Sequence, residues 1–277
     1  MTPLADGLIL VAGGVATGLF GSLLGLGGGV LIVPLLTLGM GLPLLTAVGV
    51  SLICVIVTSG AAAGVYLERR VANLRLGMSL ELFTAIGALG GSLIAFAIPE
   101  RALELAFAAL LGYTAVSMVR RRDGPSEAVA VAADDPVGPT TPGRAFADRL
   151  SGPGYRVRRL GVGVVGSVGA GVASALLGIG GGLIKVPLMH VVMGVPLRVA
   201  TATSNLMIGI TASASAIVYL LRGGIHAFVA APTAIGVFIG ASIGSRIAPR
   251  IDLRILRGLF VAILLYTAWQ MLQRAIG

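Results

Sequence analysis

Charge, cysteine and histidine are all scarce in this 277-residue chain, and each scarcity removes a class of protein. Charged residues make up 11% of the sequence, against about 25% in a soluble domain. Together with 56% hydrophobic residues and a mean hydropathy of +1.00, this excludes an ordinary water-soluble globule and leaves a polytopic membrane protein. Cys54 is the only cysteine, which excludes an intrachain disulfide and a cysteine-based metal cluster. His190 and His226 are the only histidines and have no second-ligand spacing, so no metal and no other cofactor is expected. The 11 acidic residues are outnumbered by 20 basic ones, a net charge of +9. That excess does not point to nucleic acid, because the arginines lie in loops between apolar runs, where topology places them. Met1 to Gly7 carries no basic residue and does not read as a signal peptide.

Catalytic patterns are missing too. No nucleophile–base constellation or nucleotide motif stands out. Gly161-Val162-Gly163-Val164-Val165-Gly166 satisfies the dinucleotide fingerprint as a string but opens an apolar helix with no strand before it. An enzyme is therefore not expected. A membrane-embedded enzyme or a scaffold subunit without transport activity is the alternative to the reading that follows.

Glycine is abundant, with 42 residues. Its densest run, Leu24-Gly25-Leu26-Gly27-Gly28-Gly29-Val30-Leu31-Ile32-Val33-Pro34, recurs 153 residues later as Leu177-Gly178-Ile179-Gly180-Gly181-Gly182-Leu183-Ile184-Lys185-Val186-Pro187. Seven of the eleven positions are identical, and Ile32 against Lys185 is the one pair that is not apolar on both sides. Consecutive glycines disfavour a regular helix by about 1 kcal/mol each relative to alanine. Inside a bilayer, broken backbone is tolerated only where protein or a water-filled cavity surrounds it. Two breaks at matching positions of two halves mark the binding region of a transporter.

The repeat extends outward. Met40-Gly41-Leu42-Pro43-Leu44 matches Met193-Gly194-Val195-Pro196-Leu197, and Tyr113-Thr114-Ala115 matches Tyr266-Thr267-Ala268. The chain divides into a first membrane repeat (1–122), a soluble, disordered linker (123–155) rich in proline, and a second membrane repeat (156–277). In the first repeat, helices are expected over Leu8–Leu24, Val30–Met40, Leu44–Leu67, Leu76–Ile98 and Ala102–Val119, and in the second over Leu160–Leu177, Leu183–Met193, Ile225–Ala248 and Leu253–Gln273, with a helix after the second hairpin between them. The expected architecture is all-α: two homologous halves, each a broken, re-entrant helix pair plus about three spanning helices.

Arginine counts bear on orientation. With inverted halves, sixteen arginines fall on the linker side and only Arg101, Arg222 and Arg274 on the other. Parallel halves give thirteen against six. The positive-inside rule therefore favours inverted repeats, a cytoplasmic linker and both termini outside, in the plasma (inner) membrane.

The doubled L-G-[LI]-G-G-G-x-[LI]-x-V-P motif, followed by G-[LV]-P-L and a serine in the next helix, resembles the TauE/SafE family of sulfite exporters and anion permeases. The resemblance covers both halves and omits only the linker. It implies movement of a small anion, such as sulfite, another sulfur oxyanion or an organosulfonate, with export favoured. The partners implied are the anion, the lipid bilayer and, left open, a second copy of the chain as a homodimer.

Candidate substrate-binding residues follow. Gly27, Gly28 and Gly29, with Gly180, Gly181 and Gly182, could present backbone N–H groups to an anion at helix N-termini, or simply allow tight packing. Lys185 is either the anion's counter-charge or a residue snorkelling to the interface. Ser51, its repeat mate Ser204, Thr203 and Asn205 could donate hydrogen bonds without full charge, or could link helices. Thr58 and Thr211 rank lower, since a lone threonine often bonds its own helix. Glu81, early in its helix, is expected at the interface.

Overall fold

A computed structural model of the protein describes residues 3–24, 28–68, 72–120, 150–152, 155–247 and 253–276. Its regular secondary structure over these residues is helical, apart from one isolated bridge between Gly152 and Tyr155. The first half contains α1 (Pro3–Leu24), α2 (Gly29–Pro34), α3 (Leu44–Glu68), α4 (Leu74–Ala95) and α5 (Glu100–Arg120). The second contains α6 (Leu160–Leu177), α7 (Gly182–Pro187), α8 (Leu197–Leu221), α9 (Ala227–Ile247) and α10 (Leu253–Ile276). Six helices among the described residues are long and apolar enough to cross a membrane: α1, α3, α4, α6, α8 and α9. The protein is thus a multi-pass membrane protein, as its composition requires.

Two expected helices changed character. The segments expected over Val30–Met40 and Leu183–Met193 each begin as a six-residue α-helix ending in proline, Pro34 or Pro187, and then widen into a π-helical turn, Leu35–Gly39 or Leu188–Val192. Proline has no N–H and its ring crowds the carbonyl four residues back, so the helix cannot keep its regular ladder there. Widening to π geometry is one way to absorb the mismatch. α5 and α10, expected to span, fall outside the group of six apolar spans. They pack on each other, and the Arg274 Nε–Glu104 Oε1 ion pair at 3.0 Å joins them. Arg274 also donates to Thr37 O at 2.9 Å, tying α10 to the first π turn.

Packing is reciprocal between halves. The first helix of each half lies against the fourth of the other (α1 on α9, α6 on α4), third meets third (α3 on α8) and fifth meets fifth (α5 on α10). Such exchange is what a two-fold relation between the repeats produces, and it suits parallel and inverted halves alike.

Small residues set these crossings. On α4, Gly77, Thr84, Gly87, Ala88, Gly91 and Ser92 are buried, whereas Leu82, Ile86, Leu89 and Leu93 are exposed on the other face. The helix turns its small face to protein and its large apolar face outward, as membrane helices do where close backbone approach replaces the hydrophobic effect as the driving force. A Cβ on Gly91 would stand 2.7 Å from Val172 Cα, while one on Gly90 would meet nothing within 4 Å. Gly91→Val is therefore expected to lower stability by about 1–3 kcal/mol through overpacking. Gly90→Val should change little beyond its helix propensity. Thermal denaturation in detergent checks this, and equal melting of the two variants would contradict the packing described.

Of the expected linker, only Leu150–Gly152 and Tyr155 are among the described residues. Leu150 is buried with Leu76, Leu80, Met189, Met193 and Met207. Asn73, which caps α4 by accepting from Leu76 N, donates through Nδ2 to Leu150 O and to Tyr155 Oη, each at 2.7 Å. Burial holds the Tyr155 phenol above its ordinary pKa, so it stays a neutral hydrogen-bonding group. The end of the 123–155 stretch is thus anchored over the start of α4.

Candidate functional site

The two glycine runs meet at the centre of the molecule. Ser51 on α3 places its hydroxyl 3.1 Å from Gly29 O and 2.7 Å from Gly178 O, so one side chain ties both runs together. Gly29, Gly180 and Gly182 are filled in by protein: a Cβ would collide with Val55 at Gly29 and Gly180, and with Ile208 at Gly180 and Gly182. Gly28 and Gly181 differ, because no atom would stand closer than 3.2 Å to a Cβ there; like Gly180 (φ 71°) they have left-handed backbones (φ 73° and 77°) that side chains rarely adopt. Each begins the tight turn into its short helix, with Leu31 N bonding to Gly28 O and Ile184 N to Gly181 O. Gly27 lies outside the described residues.

Around the second turn the surroundings are polar. Ser174 on α6 and Ser204 on α8 are fully buried, and their hydroxyls have no hydrogen-bond partner among the described residues. A Cβ on Gly181 would lie 3.4 Å from Ser174 Cβ, and one on Gly182 would lie 3.7 Å from Ser204 Oγ. The two hydroxyls therefore flank Gly181–Gly182. Two other sequence candidates make contacts away from this turn. Thr203 Oγ1 accepts from Asn73 N at 2.9 Å, and the backbone carbonyl of Asn205 accepts from Ser59 Oγ at 2.6 Å.

Lys185 lies just beyond this turn. Its stem passes Gly181, where a Cβ would be 3.4 Å from Lys185 Cε. The ammonium does not snorkel: the residue is 1% exposed. It donates to Glu81 Oε2 at 2.9 Å and to Thr211 Oγ1 at 2.6 Å. Thr211 in turn donates to Glu81 Oε1, which closes a ring of three hydrogen bonds. Glu81, expected at the interface, is instead 3% exposed. It lies seven residues into α4, about 10 Å from the helix start at 1.5 Å per residue. Thr211 falls mid-way along α8, so the ring is well inside the span. Glu81 and Thr211 ranked low in the sequence because their partners lie 104 and 26 residues away from them along the chain. The one available signal was that Glu81 is an acid inside an otherwise uncharged apolar run.

Glu81 also lines a cavity of about 200 Å³ between α4 and α8, together with Asn73, Gly77, Met78, Thr203, Met207 and Ile210 among others. No group of acids, histidines and cysteine that could hold a metal occurs among the described residues.

The family model for the sulfite exporter TauE/SafE matches residues 10–271. The chain belongs to this family. It is 25% identical over 245 residues to the probable membrane transporter protein YunE of Bacillus subtilis (strain 168), a stretch covering 84% of this chain and 85% of that protein. No solved structure matches. TauE/SafE membership makes this a membrane transporter.

Proposed function

We propose that this TauE/SafE protein exports a small sulfur oxyanion or organosulfonate from the cytoplasm through a site at the second glycine turn. The observation that supports it most is the pairing of two unpartnered buried hydroxyls, Ser174 and Ser204, with a turn whose next residues carry a buried lysine. Lys185 supplies the positive charge. Ser174, Ser204 and the N–H groups near Gly181 and Gly182 supply neutral donors, and Gly28 and Ser51 hold the equivalent turn of the first half against it. Neutral donors with a single cation suit an anion that must be released again, because a cluster of arginines would hold it too tightly.

Direction follows from the membrane potential. With the linker in the cytoplasm, an anion leaving a negative interior gains about 2.3 kcal/mol per net charge at 100 mV. Export needs no further driving ion, whereas import does. The arrangement rests on inverted halves in the inner membrane with both termini outside.

Flux of sulfite, thiosulfate, sulfate, sulfonates and carboxylates in proteoliposomes tests the substrate class. Sulfur oxyanions or sulfonates should be moved in preference to carboxylates, chemically unchanged. Carboxylate preference would overturn the substrate assignment, and product formation would make the protein an enzyme.

Topology has its own test. Cys54 is replaced and single cysteines are placed at Ser126 and near either terminus. In intact cells the linker site should resist an impermeant thiol reagent while both terminal sites react. Reaction at only one terminus contradicts inverted halves.

A further inference from the structure

We propose that Glu81 is a built-in substitute for the transported anion: its carboxylate occupies Lys185 in the empty site and yields it by taking up a proton when the anion binds. Each anion then moves together with one proton. The inference rests on the reading that Lys185 belongs to the anion site.

The repeat supplies the first argument. At the 153-residue offset, Lys185, Glu81 and Thr211 correspond to Ile32, Ala234 and Thr58. The threonine stands in both halves. The acid and the base occur together in one set and are absent together from the other. Ile32 is fully buried, so the first half packs this place without charge. The fold therefore does not require the pair. A buried ion pair is in any case a poor stabiliser compared with apolar residues of similar volume, since both ions must leave water. Two charges kept at that cost, in one half only, indicate a task.

Charge balance defines the task. Glu81 neutralises Lys185 in the arrangement seen. An incoming anion would place further negative charge beside the carboxylate in a medium that screens little, so both cannot hold the ammonium fully ionised. Protonation of Glu81 resolves this. The proton bonds to a Glu81 oxygen, the Oε2–Lys185 contact opens, and the ammonium donates to the anion instead. For a monoanion the site is neutral before and after. For a dianion it gains one net negative charge. Monoanion transport is therefore electroneutral, while a dianion still carries one charge that the membrane potential drives outward.

Access supplies the second argument. The cavity of about 200 Å³ between α4 and α8 has Glu81 in its lining, and water occupies about 30 Å³ per molecule in the liquid. Hydration of this mostly apolar space would carry a proton to the carboxylate from the side lined by Asn73 and Thr203. No other charged side chain among those described competes for it. α6, packed on α4, has no titratable side chain. α8 has Arg198 in its first turn and Tyr219 near its end, where the hydroxyl donates to Ala175 O. His190, on the segment continuing α7, is held through Nδ1 at Val195 O. Arg75 of α4 itself is exposed near the helix start.

Methanesulfonate is the probe, because it remains a monoanion throughout the range used. In wild-type proteoliposomes its flux should move one proton per anion in the same direction, read by an internal pH dye, without charge displacement under voltage clamp. Its apparent affinity should fall about tenfold per pH unit on the alkaline limb, the slope for uptake of one proton on binding. Glu81→Gln mimics the protonated carboxyl. It should bind methanesulfonate with less than about twofold change over the same range and carry it without protons. The double variant Glu81→Ala with Lys185→Ile copies the uncharged half and should lose both affinity and proton movement. Wild-type flux without proton movement overturns the proposal and leaves anion transport standing, as does proton movement undiminished in Glu81→Gln. Failure of wild-type protein to move any of the sulfur anions overturns the proposed function and this inference together.

Discussion

In Lys185→Met, the apparent affinity for the transported anion falls tenfold or more, equivalent to about 1.4 kcal/mol or above, and the protein also loses stability. The affinity loss follows from removing the positive charge at the second glycine turn. The stability loss has a separate origin. Glu81 is 3% exposed and its carboxylate is held by Lys185 and Thr211. Without the ammonium an uncompensated buried charge remains, at a cost of about 3–5 kcal/mol. The two effects separate in the double variant Glu81→Ala with Lys185→Ile, where stability should return and affinity should not. Lys185→Arg should fall between wild type and Lys185→Met in affinity, because guanidinium keeps the charge but replaces a compact ammonium with a planar fork. Binding by calorimetry and melting in detergent read the two quantities. Unchanged affinity and unchanged voltage dependence in Lys185→Met would reduce Lys185 to a structural residue.

Gly181→Val should abolish flux while membrane insertion remains intact. The backbone at Gly181 has φ 77°, which a β-branched residue resists. Its Cβ would stand 3.2 Å from Ala170 O and 3.4 Å from both Lys185 Cε and Ser174 Cβ, so the valine methyls enter the space that holds the lysine stem and the free hydroxyl. Gly28→Val offers a graded comparison. It has the same left-handed strain (φ 73°), but the nearest atom to its Cβ is Thr17 O at 3.7 Å. The first-half variant should therefore retain more activity than the second-half variant. Equal, normal flux in both would show that neither turn forms part of the pathway.

Much of the architecture was legible because the chain states it twice. The duplicated glycine runs, the five segments per half and the oddity of Lys185 against Ile32 all appear on aligning the two halves. The structure adds what alignment within one chain cannot give. Glu81 joins Lys185 from the other half, across 104 residues, and nothing local at either position announces the other. Gly29, Gly180 and Gly182 look like open cradles as letters, yet Val55 and Ile208 fill the space above them. Leu150 belongs to a proline-rich, charged stretch that reads as linker, but Asn73 holds its carbonyl over the start of α4. Small residues on α4 gave no strong amphipathic pattern, because its lipid face is apolar and its protein face is mostly small and apolar, with Glu81, Thr84 and Ser92 as scattered polar exceptions.

The most direct test of an anion exporter built on Lys185 is efflux of sulfite from proteoliposomes clamped at inside-negative potential with no sodium present. Efflux should steepen as the interior is made more negative and be lost in the Glu81→Ala, Lys185→Ile double variant although that protein stays folded. Sulfite efflux at the same rate in the double variant, or independent of voltage in the wild type, would contradict an exporter built on Lys185.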